Sequence, residues 1–327
     1  MIIKKDISRP DLVELFKTKR KDLSDSSIRT YVSLIFGFLH NYQKDLDLGK
    51  LNPIITYLDD NHNTSYKKTL LSSLVVLSGD TRIREKMLEY IKEYKDKKGH
   101  QHLNEKEKEN WMDFEEINKL YTTNKQRFLT IANQTKLTPQ EKHALQNYIL
   151  FLCCSGVFIP PRRSLDWSEM YWNEKDADGA NYISKKQYDK STKKYFYEFV
   201  FRVYKTASTY DEQRVEIPKE LEKWIFKWKK HQTSIYVFSK DNDSKLLPTT
   251  INQRLHAFIG KKIGTSMLRK IYITHIYKDV PKLMYLQKIA KEMGTSIPTS
   301  MLNYDKKDAP ENGEKAEKAE KAEKDEK

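Results

Sequence analysis

Three basic residues in the second half of the sequence stand where a charged side chain can be held rigidly enough to act on a phosphate. Arg163 follows the turn "PPRR" and precedes Asp166 by three residues, close enough for the carboxylate to orient its guanidinium group. Lys205 falls in a turn after an aromatic strand, and Arg269 in "SMLRKIY" begins a helix with apolar neighbours. Each also has a plain structural interpretation, as a surface ion pair, a solvated turn lysine and a snorkelling arginine respectively.

A tyrosine closes the last apolar stretch of the chain, "MGTSIPTSMLNYD". Taken alone, Tyr304 is predicted to be a packing aromatic at a helix end, since the chain contains 20 Tyr and such residues usually pack. Only the basic residues that precede it make a chemical role worth weighing.

The elements that must position these residues begin with a helical N-terminal domain, predicted over residues 1–98. In "LSDSSIRTYVSLIFGFLHNYQ" the apolar residues recur at helical spacing on one face: Ile28, Tyr31, Val32, Ile35, Phe36 and Leu39. Further amphipathic helices follow in "SYKKTLLSSLVVLSG" and "TRIREKMLEYIKEYKDKK". The lysine- and glutamate-rich stretch 99–111 is predicted to be an interdomain linker.

Residues 112–305 are predicted to form a second domain of mixed structure. Helical patterns flank "KYFYEFVFRVYKTAS" and "QRVEIP", whose alternation predicts an antiparallel hairpin with "KTASTYDE" as its turn. The expected fold class is therefore α+β and mostly helical, with an all-α N-terminal domain and a C-terminal domain of helices around a small antiparallel sheet. The charged tail 306–327, which repeats EKA, is predicted to be solvated and disordered on its own.

The charge balance points to a polyanionic partner. The net charge is +14, and because residues 305–327 hold 7 Lys against 9 Asp and Glu, residues 1–304 carry +16. Nucleic acid is favoured over an anionic membrane, since no strong amphipathic anchor and no apolar run of membrane length is visible. The adjacent Cys153 and Cys154 lack the spacing of metal ligands and are expected to be buried in a reducing compartment. No signal peptide opens the sequence, so we expect an intracellular protein.

In order and spacing, these residues resemble the tyrosine recombinases of the phage-integrase type. The family's first arginine motif is similar to "RSLDWSEMYW", with Arg163, Asp166 and Trp172 at the matching positions. Its hairpin lysine resembles Lys205 in "YKTASTYDEQRVEIP", and its second arginine resembles Arg269 in "MLRKIYITHIY". Two adjacent arginines leave a choice at the first motif. Counting to Asp166 and Trp172 favours Arg163.

The resemblance extends to the end of the folded chain. The family's nucleophilic tyrosine lies ten residues after a glycine, as Tyr304 does after Gly294. The N-terminal helix "LSDSSIRTYVSLIFGFL" is similar to the family's core-binding domain, so the resemblance covers residues from about 10 to 305. "PPRR" resembles the divergent recombinases of large DNA viruses and mobile elements.

The resemblance implies a site-specific DNA recombinase or integrase that needs no metal, ATP or other cofactor. Arg163 and Arg269 would hold the phosphate, with Asp166 in support. Tyr304 would form a 3′-phosphotyrosyl intermediate, and Lys205 would protonate the leaving 5′ oxygen.

Two family positions carry different residues here. Ser266 and Thr295 stand where the family has His, and His or Trp, so we count them among the candidate catalytic residues. Neither hydroxyl can act as a general base at neutral pH as an imidazole can.

The expected partner is double-stranded DNA, bound by a dimer or tetramer of the chain. The side chains predicted to contact DNA are Arg162, Arg29, Lys67, Lys68 and Lys270. The expected location is at DNA, either in the cytoplasm of a prokaryotic or virus-infected cell or in a nucleus. Two alternatives stay open: a type IB topoisomerase, and a catalytically silent DNA-binding protein descended from a recombinase.

Overall fold

The computed structural model describes residues 1–99, 102–278 and 283–303, and the chain divides into two compact units, Met1–His100 and Gln101–Lys327. The tail 306–327 and Tyr304 lie outside the described residues. Within the described ranges, no helix combines the length and the apolar character that a membrane span requires.

The first unit is built from five helices and one short ladder. The helices are α1 (Arg9–Lys19), α2 (Asp25–Tyr42), α3 (Leu51–Asn61), α4 (Thr64–Ser78) and α5 (Thr81–Gly99). Strand β1 (Ile2–Ile3) pairs antiparallel with β2 (Leu46–Asp47), an element that the helical pattern did not predict. Ser24 caps α2, since its hydroxyl accepts a bond from the Ser27 amide at 3.3 Å. The predicted apolar face of α2 packs inward, with Ile28 and Ile35 buried in the core of the unit.

The second unit contains the longest buried helix. Its helices are α6 (Glu105–Asn110), α7 (Phe114–Ala132), α8 (Pro139–Cys154), α9 (Ser164–Ser168), α10 (Glu174–Ala177), α11 (Ala207–Tyr210), α12 (Lys219–Lys229), α13 (Pro248–Ile259), α14 (Thr265–Ile276), α15 (Leu283–Glu292) and α16 (Ile297–Asn303). Every residue of α8 from Leu145 to Cys154 is buried, because α7, α12 and α13 pack around it. Burial also raises the pKa of both cysteine thiols, as expected for cysteines that act as small apolar residues.

The strands of the second unit, within its described residues, are β3 (Met170–Tyr171), β4 (Asn181–Ile183), β5 (Gln187–Asp189), β6 (Lys194–Phe196), β7 (Glu198–Phe201) and β8 (Gln213–Glu216). The main sheet has the order β3-β4-β7-β8, in which only the β3–β4 pair is parallel. Strands β7 and β8 form the predicted hairpin, with Glu198 opposite Glu216 and Phe201 opposite Gln213. Strands β5 and β6 form a separate two-stranded sheet. The fold is thus α+β and mostly helical, with one mixed sheet where an antiparallel one was expected.

The stretch expected to be a linker, 99–111, is structured where it is described. Asn104 and Glu107 form a reciprocal capping box that starts α6. The Lys262 amide donates to Asn110 Oδ1 at 2.9 Å, and Lys261 Nζ donates to the Trp111 carbonyl at 2.9 Å. Residues 104–111 are therefore part of the second unit, because polar side chains in a charged sequence serve here as caps and docking contacts.

Candidate functional site

The site begins at the proline turn that precedes α9. Pro160 and Pro161 keep the backbone extended, so the helix can start only after them, with Arg163 at its N-cap. One turn later Asp166 is fully buried, as is Arg162, each with 0% exposure. Arg162 Nε donates to Asp166 Oδ2 at 2.9 Å, which makes a buried ion pair.

This pairing corrects the expected partner of Asp166, which the sequence assigned to Arg163. Four residues separate Arg162 from Asp166, and the N-cap at Arg163 sends its own side chain to a partly exposed position. Arg162 was also expected to contact a backbone phosphate from the surface. Its guanidinium is instead enclosed, with Cζ at 3.9 Å from the centre of the Phe201 ring and 5.0 Å from that of Tyr204.

A glycine turn at the end of α15 supplies the acceptors for these arginines. Gly294 has a φ of +64° and ends the helix in the left-handed conformation. The Thr295 amide donates to the Ala290 carbonyl at 2.9 Å and the Gly294 amide to the Lys291 carbonyl at 2.9 Å, the two bonds of a Schellman motif. We call Glu292–Thr295 the Gly294 turn. This geometry leaves the carbonyls of residues 292, 293 and 294 outside the helix ladder.

Arginine donors fill those three carbonyls. Arg162 Nη1 donates to the Glu292 carbonyl, and Arg269 Nη2 donates to the Met293 carbonyl at 3.2 Å. Arg163 Nη1 approaches the Gly294 carbonyl at 3.4 Å. Cations at a helix C-terminus are stabilised by the helix dipole as well as by these bonds. We refer to Arg162, Arg163, Asp166 and Arg269 as the arginine cluster.

The cluster is electrostatically unusual because three guanidinium groups surround one buried carboxylate. Burial raises the pKa of Asp166, and the charges of Arg162, Arg163 and Arg269 act in the opposite direction. Burial likewise lowers the pKa of Arg162, against the pull of Asp166. Arg162 Nη2 and Asp166 Oδ1 are both buried and have no hydrogen-bond partner among the described residues. An anion oxygen is the kind of partner that the Nη2 donor lacks.

Lys205 lies at the edge of this cluster. It is exposed, in the connection between β7 and β8 that also contains α11. Tyr204, on one side of it, packs its ring against Arg162. Thr206, on the other side, donates from Oγ1 to the Gly294 carbonyl at 2.8 Å. The backbone of Lys205 is thus tied to the cluster at both neighbouring residues.

The other candidate catalytic residues differ in where they lie. Ser266 is exposed in the first turn of α14, one turn before the buried Arg269. Thr295 is 4% exposed and belongs to the Gly294 turn. Tyr304 lies outside the described residues, one residue after α16 ends at Asn303. The described part of the site therefore brings together Arg163, Arg269, Asp166 and Thr295, with Lys205 at its rim.

The three lysines that were predicted to contact DNA already interact with other side chains of the protein. Lys67 Nζ pairs with Asp59 Oδ1 at 2.7 Å, and its side chain is only 12% exposed. Lys68 Nζ lies 4.1 Å from the centre of the Tyr94 ring, and Lys270 pairs with Glu107. Arg29 is exposed on α2 and donates from Nε to the Asp25 carbonyl at 3.4 Å.

Sequence reasoning missed Gln213, which completes the binding of Arg162. Gln213 is 4% exposed at the start of β8, and its Oε1 accepts from Arg162 Nη1 at 2.7 Å. A polar residue opening a strand is common, so the sequence carries no signal for this role. Among the described residues, no group of three or more His, Cys, Asp or Glu could hold a metal ion.

Comparisons with known proteins give a likeness in structure. No family model matches the chain, and no curated protein matches it. The chain is similar to the crystal structure of XerA recombinase over 98% of its own length and 99% of that chain, with 11% sequence identity and a TM-score of 0.40. At that identity and TM-score the likeness says nothing about which residues act.

Proposed function

We propose that the chain is a DNA strand transferase of the tyrosine-recombinase type, which cuts and rejoins DNA through a 3′-phosphotyrosyl intermediate without metal or ATP. The observation that carries the proposal is the convergence of Arg162, Arg163 and Arg269 on the Gly294 turn, ten residues before Tyr304. The adjacent Arg162 and Arg163 meet Arg269, more than 100 residues later in the sequence, at the segment that leads directly to the candidate nucleophile.

The arginines suit phosphoryl transfer. The transition state places extra negative charge on the nonbridging oxygens, and guanidinium groups hold such oxygens in a fixed fork. Arg163 is the partly exposed member and is proposed to contact the phosphate with Arg269. The buried Arg162–Asp166 pair is proposed to position them, since Asp166 lies within the field of all three arginines.

Tyr304 is proposed to attack phosphorus, forming the O–P bond to the 3′ side of the break while the 5′ oxygen leaves. Lys205 is proposed to donate the proton to that oxygen, because the contacts of Tyr204 and Thr206 hold its backbone beside the cluster. The phosphotyrosyl bond conserves the energy of the broken ester, so a 5′-hydroxyl can reverse the step.

The absence of imidazole at positions 266 and 295 predicts a slow enzyme. General acid–base groups typically contribute a factor of about 10² to 10⁴ in rate. Proton removal from Tyr304 is left to the electrostatic effect of the arginines and to water.

A suicide duplex tests the proposal. With a nick placed so that the cleaved 5′ end diffuses away, the intact chain is expected to accumulate a covalent adduct that migrates with the protein in denaturing gels. Tyr304→Phe should abolish the adduct, and Tyr285→Phe, at an exposed tyrosine on α15, should not. Bound DNA with no adduct from the intact chain would overturn the enzymatic proposal and favour a silent DNA-binding protein.

Synapsis separates recombination from topoisomerase action. A recombinase needs two sites and several protomers, whereas a type IB topoisomerase relaxes supercoils on any duplex as a monomer. Relaxation of a supercoiled plasmid at a rate that rises in direct proportion to protein concentration, with no joint product from two sites, would assign the chain to the second reaction.

A further inference from the structure

The β5–β6 hairpin is a basic surface that the proposed catalytic site does not use. Residues 185–196 contain five lysines and one acid, a net charge of +4 in twelve residues: Lys185, Lys186, Lys190, Lys193, Lys194 and Asp189. All five lysines are exposed. None of them makes an ion pair within the part of the chain that the structure describes, in contrast to Lys67 and Lys270.

The one carboxylate in the hairpin is occupied by the turn. Asp189 accepts from the Ser191 amide at 2.8 Å, from Ser191 Oγ at 2.7 Å and from Thr192 Oγ1 at 2.7 Å. Those bonds fix a tight connection in which Lys193 has a φ of +52°. The acid shapes the turn and leaves the lysine charges uncompensated by an ion pair.

An aromatic pair links the two strands of the hairpin, and a polar contact ties β5 to the start of β7. Tyr188 lies opposite Tyr195, with ring centroids 4.8 Å apart, although the two residues are 49% and 53% exposed. Lys186 Nζ stands 4.6 Å from the centre of the Tyr195 ring. On the other face, Gln187 Nε2 donates to Glu198 Oε2 at 2.6 Å. A two-stranded hairpin is marginal alone, and cross-strand aromatic pairs are what stabilise it.

The hairpin therefore presents exposed lysines along its strands and turn, beside a paired set of tyrosines. The rings of Tyr188 and Tyr195 contact each other at an interplanar angle of 46°, and Lys186 lies over one of them, so stacking on unpaired bases is disfavoured. Apart from Lys186, the lysines of the hairpin make no ion pair or ring contact within the described residues, so their ammonium groups are available to a ligand. A lysine ammonium group is a compact charge at the end of a long, flexible side chain, and such groups suit the phosphates of a duplex backbone. Phosphate contacts do not require an exposed base.

The hairpin is separate from the arginine cluster. It joins the main sheet at the Glu198 end of β7, whereas the Lys205 connection follows the Phe201 end. At about 3.3 Å per residue the four residues of β7 separate the two by roughly 13 Å or more. One turn of duplex DNA is about 34 Å long, enough to meet both ends of the sheet.

We propose that the β5–β6 hairpin is a second DNA-binding surface, which grips the duplex backbone away from the site of strand cleavage. The inference rests on the proposed function only for its partner, duplex DNA. It does not need strand cleavage to occur.

The test measures noncovalent binding in a Tyr304→Phe background, so that cleavage cannot contribute. A hairpin variant, Lys185→Gln with Lys190→Gln and Lys193→Gln, is compared with a control of equal charge, Lys136→Gln with Lys223→Gln and Lys230→Gln. All three control lysines are exposed: Lys223 lies on α12, Lys230 directly follows that helix, and Lys136 lies in the connection between α7 and α8. Affinity for a fluorescent duplex of about three turns is titrated at several salt concentrations.

The hairpin variant is expected to lose affinity at low salt and to reduce the slope of log K against log [salt] by about 2 to 3, since each phosphate contact contributes about 0.9. The control is expected to reduce it by less than 1. Equal slopes for the two variants, or a parent chain that binds no duplex, would overturn the hairpin proposal. If the parent binds duplex and the hairpin variant shows the predicted loss of slope, yet the chain with Tyr304 present forms no adduct on the suicide substrate, the hairpin proposal would be supported and the enzymatic proposal refuted.

Discussion

Replacing Asp166 with asparagine should destabilise the second unit by about 3 to 5 kcal/mol. The substitution keeps the size of the side chain and an acceptor for Arg162 Nε, so it removes little but the negative charge. Because the side chains of Arg162 and Asp166 are 1% and 0% exposed, solvent cannot screen the charge left behind. Breaking a buried ion pair by removing one partner typically costs about 3 to 5 kcal/mol.

Tryptophan fluorescence measures this loss, and two further variants serve as controls. All five tryptophans belong to the second unit, so urea unfolding followed by tryptophan fluorescence reports that unit alone. Glu105→Gln breaks an exposed pair with Lys108 and should cost about 1 kcal/mol or less. Removing both buried charges in Arg162→Met with Asp166→Leu should recover most of the loss, since apolar residues often replace a buried pair at little cost.

A loss below about 1 kcal/mol for Asp166→Asn would refute this reasoning. That result would mean that Asp166 is already neutral in the folded chain, as the effect of burial on its pKa favours, and that the three arginines do not keep it ionised. A double variant less stable than the single one would show that the site depends on the shape of the pair and not on its charge.

Three further outcomes follow from the geometry. Gly294→Ala should lower the free energy of unfolding by about 1 kcal/mol, because alanine is strained at a positive φ. Gly156→Ala should lower it by about 2 to 4 kcal/mol, because the added Cβ would lie 2.5 Å from the Tyr272 ring. Urea unfolding measures both losses. The hydrogen bonds of the turn lower the pKa of Asp189 to about 2. The contribution of Asp189 to hairpin stability should therefore be complete above about pH 4 and be lost as the pH falls through 2. NMR of the carboxyl carbon would show this titration. Both cysteines should resist a thiol reagent at neutral pH until urea unfolds the unit, and rapid labelling of the native chain would contradict their burial.

The helices and the β7–β8 hairpin were predictable because their apolar periodicity agrees with their packing. Helix α2 follows its predicted apolar face, and Ser24 caps its first turn. The sequence could not separate β6 from β7, since "KYFYEFVF" alternates continuously and the break at Tyr197 arises only when each strand finds a different partner. The linker prediction at 99–111 was wrong where described, because docking contacts such as Lys262 to Asn110 join distant segments.

At the candidate site, residue types were predictable and their orientations were not. Which of two adjacent arginines turns inward depends on where α9 begins, and that is fixed by the proline turn together with the core around Asp166. Gln213 has no local signal at all. The roles of Arg163, Lys205 and Tyr304 stay predictions that the adduct assay must decide.

The Schellman motif that ends α15 binds several side chains of the arginine cluster at the same turn. Arg162, Arg163 and Thr206 each donate to a carbonyl between Glu292 and Gly294, so a displacement of that turn takes acceptors from all of them at once. The same displacement would expose Arg162 Nη2, which is buried beside Gly294, to solvent or to a ligand. If the turn moved, these donors would lose their acceptors together. Their availability to an anion is therefore coupled to the position of the segment that leads to Tyr304.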